Sequence, residues 1–152
     1  MTGIPLARLL AMAYRLLVDG LHERLRERGW TDVRPAFGFV LLAVRAGPAS
    51  LRDLPTVLGT SKQAVSKLVA AMVAAGYLEL AADPADARAK QVQLSGRGRA
   101  LLAEVERIWA ELEQGWAAVL SDEQLTVLRG GLEAVLRAAH GGSLPEVRTV
   151  GD

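Results

Sequence analysis

"TSKQAVSKLVAAMVAAGYLELAADPADARAKQVQL", residues 60–94, decides the fold. In its first half Ala64, Val65, Leu68, Val69 and Met72 recur at helical spacing and form one inward stripe. Thr60 or Ser61 is placed to cap this helix, and Gly76 to end it. The period then drops to two. "YLEL" (77–80) sets Leu78 and Leu80 on one face of a strand, and "QVQL" (91–94) does the same with Val92 and Leu94, Gln91 and Gln93 pointing the other way. Between them "DPADARAK" (83–90) is rich in poor strand formers and reads as the tip of a hairpin. That tip ends in two cations, Arg88 and Lys90, with no large apolar residue to hold it down.

Upstream, apolar residues from Leu6 to Leu25 keep a helical period after Pro5, and Gly29 is placed as the C-terminal cap. Pro35 lies near the start of a second helix and Gly47-Pro48 stops it; Phe37 to Val44 is apolar nearly all round, which marks a buried central helix. Ser50 opens "SLRDLPTVLG" with Asp53 three residues on, and Gly59 closes this short third helix. Started at Ser50, the helix holds Pro55 in its interior, at a cost of ~3 kcal/mol. Downstream, Ser95 caps a long helix interrupted at Gly115, and Ser121 with Gln124 makes a capping box for a last helix through Ala139.

The expected architecture is therefore mostly α with a two-stranded β wing. A short helix, a tight turn and a second helix form a helix-turn-helix, and the hairpin directly after it is the wing. The chain reads as one domain over 1–152: helices for dimerisation at 1–30 and 95–140, a winged helix-turn-helix head at 31–94, and a tail at 141–152.

The chain has no cysteine, which excludes disulfides, Cys-ligated zinc and thiol chemistry. Arg8 and Arg15 break the apolar start, so neither a signal peptide nor a membrane span is expected, and the cytoplasm is the expected compartment. Net charge is +1, but residues 1–59 and 60–99 each carry +3 while 100–152 carry −5. A basic centre beside an acidic C-terminal third suits a polyanion on one face and another partner elsewhere. His22 and His140 are too isolated to suggest a metal site and read as partly exposed surface.

In helix-turn-helix readers the N-terminal part of the second helix enters the major groove. Outside the inward stripe this leaves Thr60, Ser61, Lys62, Gln63, Ser66 and Lys67: Gln suits adenine, Lys guanine, and hydroxyls suit phosphates or bases. The plainer alternative is a solvated helix face. A wing alongside can place Arg88 and Lys90 in the minor groove, where small Ala85, Ala87 and Ala89 let the backbone approach. Arg97 and Arg99 sit in a first helical turn, where the helix dipole disfavours them; pairing with Glu104 or Glu106 is expected, with a phosphate as the other option.

At this point the chain resembles the MarR family of winged helix-turn-helix repressors along nearly its whole length. "LRDLPTVLGTSKQAVSKLVAAMVAAGYLEL" is similar to the family's reading head, and "DPADARAKQVQLSGRGRALL" to its wing and exit into the fifth helix. Asp86-Ala87-Arg88 matches the Asp-x-Arg wing signature, and "LSGRGRAL" the Leu-Thr-x-x-Gly-x-x-Leu motif, with Ser95 for Thr and Gly98 kept. The resemblance implies that Arg88 enters the minor groove and that Asp86 orients the wing through an ion pair. Two positions depart from the pattern: Pro55 stands where a good helix former is usual, and Ala87 where an arginine often is.

The apolar residues of the first and last two helices, among them Leu101, Leu102, Val105, Ile108, Leu128, Leu132 and Val135, need more cover than a small head provides. A two-fold homodimer buries them and sets two heads ~34 Å apart on a pseudo-palindromic operator. The resemblance implies the same dimer, and a small aromatic or lipophilic effector between dimer region and head. Leu10, Tyr14, Trp30, Phe37 and Phe39 are candidates to line its site, with plain core as the alternative. The expected function is a repressor of transcription, needing no cofactor; the rival is a winged-helix protein-interaction module. No phosphate loop, nucleophile–base pair or metal cluster suggests an enzyme.

Overall fold

A computed structural model describes residues 3–144, which form six helices and one small sheet. The helices are α1 (Leu6–Glu27), α2 (Phe37–Ala43), α3 (Leu54–Leu58), α4 (Lys62–Ala74), α5 (Gly96–Trp116) and α6 (Asp122–Ala139). The strands are β1 (Ala49–Ser50), β2 (Leu78–Asp83) and β3 (Asp86–Leu94). The stretch beyond 144, most of the expected tail, lies outside the described residues.

Helix ends follow local chemistry. Ser61, not Thr60, caps α4 by accepting the Ala64 N–H at 3.1 Å; Ser95 accepts the Gly98 N–H at 3.0 Å; Ser121 and Gln124 form the reciprocal capping box. Gly59, at φ +69°, turns the chain out of α3. Of the expected α4 stripe Val65, Val69 and Met72 are buried and Leu68 is half-buried, but Ala64 is exposed. Gly115 does not interrupt α5, which runs through to Trp116.

The start of the third helix is corrected. Ser50 is not its cap: it belongs to β1, where Ser50 pairs with Gln91 and Ala49 with Val92, and its hydroxyl accepts the Arg52 N–H. The sheet is thus three-stranded, in the order β1-β3-β2, rather than a bare hairpin. Helix α3 begins at Leu54, so Pro55 falls in its first turn, where a backbone N–H has no helical partner to lose. The interior-proline penalty does not apply. Pro55→Ala is therefore expected to lower stability slightly, by up to ~1 kcal/mol through a freer unfolded chain, instead of raising it by ~3; urea unfolding of the two proteins gives the sign.

The core is built by α2, α3, α4, the inner sheet and the N-terminal half of α5, with Phe37, Leu54, Leu58, Met72, Tyr77 and Leu101 each fully enclosed. Leu101, Leu102, Val105 and Ile108 are buried within the chain, which corrects the expectation that they wait for a second molecule. They are covered partly by α1, which packs along α5 and is braced to it by Arg24–Glu111 (3.1 Å) and Arg28–Glu111 (2.5 Å). The unpartnered apolar surface lies elsewhere. Leu6, Leu9, Met12 and Leu16 on α1, and Val127, Val135 and Leu136 on α6, are exposed, and α6 buries no residue at all. Among the described residues no helix is long and apolar enough to cross a membrane.

Candidate nucleic-acid interface

Three buried residues one turn apart, Val65, Val69 and Met72, fix how α4 sits, and this alone decides what its other side presents. Lys62, Gln63, Ser66 and Lys67 share the exposed face near the N-terminus. Thr60 is half-buried in the turn before the helix, and the Ser61 hydroxyl is engaged as the cap. Both lysines lack a carboxylate within 4.0 Å among the described residues.

The wing is built differently from the sequence reading. Its tip is only Pro84-Ala85; Arg88 and Lys90 lie within β3. The inner part of β3 is held on both sides, by β2 and by β1, and the last rung on the β1 side is the Leu51 N–H donating to the Lys90 carbonyl at 2.9 Å. Lys90 shares its strand face with buried Val92 and Leu94, but sits past the core and is exposed. Farther out, Asp86 does two jobs. One oxygen accepts the Arg88 N–H at 3.0 Å, and the other pairs with Arg52 at 3.3 Å. The pair is exposed, so it adds little to stability; it ties the outer strand to the chain just before α3. Arg88 itself is exposed, with no carboxylate within 4.0 Å among the described residues. Ala85 and Ala87 are exposed, whereas Ala89 is covered.

Sequence reasoning missed Arg52, because its partner lies 34 residues away. It also missed a compositional signal: the three lysines of the chain are Lys62, Lys67 and Lys90, all on this head. Arginine, whose planar fork suits fixed carboxylate geometry, does the internal pairing, as in Arg24, Arg28, Arg45 and Arg97. Lysine is kept for exposed positions that face outward. Arg97 and Arg99 do not pair with Glu104 or Glu106 as expected. Glu104 is taken by Arg28 and Arg107 and Glu106 by Arg45, while Arg99 donates to the Leu94 carbonyl and Arg97 pairs with Asp32.

A second feature is an open cavity of about 920 Å³ lined by α1, α2, α5 and the connection between α1 and α2. Tyr14 and Phe39 line it; of the other residues considered for an effector site, Leu10 lies exposed on α1, Phe37 is sealed in the core and Trp30 packs beneath Arg97. Two of its charged groups are neutralised in place, Asp19 by Arg15 at 3.1 Å and Glu106 by Arg45 at 2.9 Å. Arg34 has no carboxylate within 4.0 Å among the described residues and lies over the Phe37 ring, 5.7 Å from its centroid.

His22, partly exposed as expected, also lines the cavity. Burial, then the neighbouring Arg26 charge, hold its pKa below the ordinary value of 6.5, against a hydrogen bond at Val33 and the charge of Asp19. The fold thus favours neutral imidazole. Its contribution is complete above the ordinary value, and is lost as pH falls and the unfolded chain binds the proton first. Urea midpoints should therefore drop between about pH 7.5 and about pH 5.5, and drop less in His22→Gln.

The family model described as "MarR family" matches residues 38–89, from α2 to the outer half of β3. The reduced form of MarR from E. coli superposes with a TM-score of 0.77 at 26% identity, covering 90% of this chain and 99% of that one. Residues 38–89 match the MarR family, and the chain is similar over most of its length to winged helix-turn-helix regulators of that family. A mutant MarR from E. coli complexed with operator DNA is similar over 88% of this chain and 94% of its own, with a TM-score of 0.71 and 26% identity. A MarR transcriptional regulator from Methanosarcina mazei Go1, 17% identical with a TM-score of 0.73 over 89% of this chain and 96% of its own, shares the fold. A search of curated proteins gives no match. The MarR-like likeness spans α1 to α6, so the terminal helices are part of the shared fold and not additions to a bare head.

Proposed function

We propose that this MarR-like chain is a homodimeric, sequence-specific DNA-binding regulator, acting as a repressor that a small apolar anion releases. The observation that carries it is the head's cation set: Lys62, Lys67, Arg88 and Lys90 stand exposed with no carboxylate partner among the described residues. Like charges left uncompensated on one small head are tolerated where a polyanion completes them. On this reading Lys62, Gln63, Ser66 and Lys67, with Thr60 and Ser61 at the helix entry, meet base edges and phosphates in the major groove. Arg88 and Lys90 reach the neighbouring minor groove, and Asp86 holds the wing in place through Arg52.

The unit is one domain over 1–152, with 31–94 as the head and 1–30 and 95–140 as dimerisation helices. A second copy is the fitting cover for the exposed apolar faces of α1 and α6, since the MarR-like fold ends in these same helices. The operator is then pseudo-palindromic, with half-sites about one turn apart. The cavity suits the effector: apolar walls, a Tyr14 hydroxyl, neutral His22 and one uncompensated cation, Arg34, fit an apolar body bearing a single negative charge. Binding there lowers DNA affinity by favouring a different head spacing.

Selection of bound sequences from random DNA tests the reading. A dyad-symmetric site should emerge, bound with a log–log salt slope of about −7 to −9 from ~8–10 phosphate contacts per dimer. No enriched sequence at low salt sinks the DNA-binding reading, and a stable monomer at micromolar concentration by light scattering sinks the dimer.

A further inference from the structure

The connection between α1 and α2 has no regular secondary structure. It contains Gly29 at φ +91° and exposed Thr31, Asp32 and Arg34. Trp30 and Val33 pack on the core, Val33 hydrogen-bonds to His22, and the exposed part is fastened by one ion pair. Arg97, in the first turn of α5, donates to Asp32 at 3.2 Å and to the Tyr77 hydroxyl at 3.1 Å, and that hydroxyl in turn donates to Asp32. The guanidinium also lies over two rings, 4.8 Å from the Tyr77 centroid and 5.6 Å from that of Trp30. Tyr77 is fully enclosed, between the end of α4 and the start of β2. Three parts of the chain therefore meet at one cation: the connection leaving α1, the junction of recognition helix and wing, and the helix leaving the wing.

The helix dipole disfavours a cation in this first turn. Asp32 and two π faces offset that cost, and they leave the fork little to offer a phosphate. We propose that Arg97 is a positioning residue, which fastens the α1–α2 connection to the reading head and so fixes the angle at which each head meets DNA. This rests on the DNA-binding reading above. Because α1 packs along α5, with only Leu21 and Leu25 of its residues buried in the shared core, freeing the connection loosens the angle between α1 and the head without disturbing the α4 cations.

Arg97→Lys keeps the charge and loses the fork and the stacking; Asp32→Asn removes the anion alone; Tyr77→Phe keeps the enclosed ring and removes only its hydroxyl. On the selected operator, Arg97→Lys and Asp32→Asn should each lose about tenfold in affinity with an unchanged salt slope. Both should discriminate less than wild type between operators whose half-sites are moved by one base pair. Tyr77→Phe should shift the same way by less. Asp32→Asn binding like wild type, or Arg97→Gln lowering the salt slope while Arg97→Lys does not lower affinity, would mean a phosphate contact and overturn the proposal. Hydrogen exchange without DNA separates this inference from the reading it rests on. Amides 29–34 should exchange faster in Arg97→Lys and Asp32→Asn, and unchanged exchange refutes the fastening, whereas a wild-type chain that selects no DNA refutes the reading.

Discussion

Gly98→Ala will destabilise this protein by about 3 kcal/mol, lowering its melting temperature by roughly 6–12 °C. Gly98 sits in the first turn of α5, and a methyl group added there meets the Tyr77 carbonyl oxygen at 2.0 Å and its carbon at 3.0 Å. Backbone cannot swing aside as a side-chain end can. The Tyr77 carbonyl also accepts the Ser95 N–H, and the Ser95 hydroxyl donates to the Gly76 carbonyl at 2.5 Å, so helix and strand are bonded to each other at the same place. Relieving the clash means parting these bonds. Alanine is the better helix former by ~1 kcal/mol, which offsets only part of the cost. Gly115→Ala in the same helix is the control. Nothing lies within 4 Å of its added methyl, so it should stabilise by ~0.5–1 kcal/mol. Thermal unfolding of the two variants should move in opposite directions. Equal and small shifts would show that the crossing of α5 over Tyr77 yields.

Arg88→Ala is expected to leave folding intact and reduce operator affinity roughly 100-fold per dimer, at about 1–1.5 kcal/mol for each wing. The residue is exposed and makes no ion pair among the described residues, so its removal takes no packing with it. On the DNA-binding reading the whole loss falls on the complex. The salt slope should shrink by about 2 units for two wings, and A·T-rich flanks should lose their advantage, because a narrow minor groove attracts an inserted cation. Arg52→Ala should do less, since it frees the wing without removing the charge. Anisotropy titrations at several salt concentrations distinguish the cases: a loss confined to affinity with no change of slope argues against a groove contact.

What was legible in the sequence was what neighbours in the chain decide. Ser61, Ser95 and the Ser121–Gln124 pair cap helices through bonds spanning three residues, so their helices could be placed to within a residue or two at their starts. The exposed row of α4 followed from its inward stripe. Contacts made at long range were not legible. Ser50 looked like a cap because nothing near it reveals Gln91, its partner across the sheet. That pairing moved the start of α3, and with it the meaning of Pro55. The same ladder draws Asp86, Ala87 and Ala89 into β3 against their own propensity, so the wing tip shrank to two residues. Asp32, 65 residues from Arg97, lay beyond any helical spacing one would search. The cavity needs three helices to exist, and of the five residues considered for it only Tyr14 and Phe39 face it.

Helix α6 ends its own chain's account unsatisfied: its amphipathic face contributes no buried residue. If a second copy covers it, as proposed above, stability should grow with protein concentration by about RT ln of the ratio to the dissociation constant, and the melting temperature should climb with it. Newly made chains at low copy number would then sit below that dissociation constant, holding an apolar strip open to proteases and to one another. Regulation by such a protein would therefore begin abruptly, once enough chains had accumulated to find covers for one another.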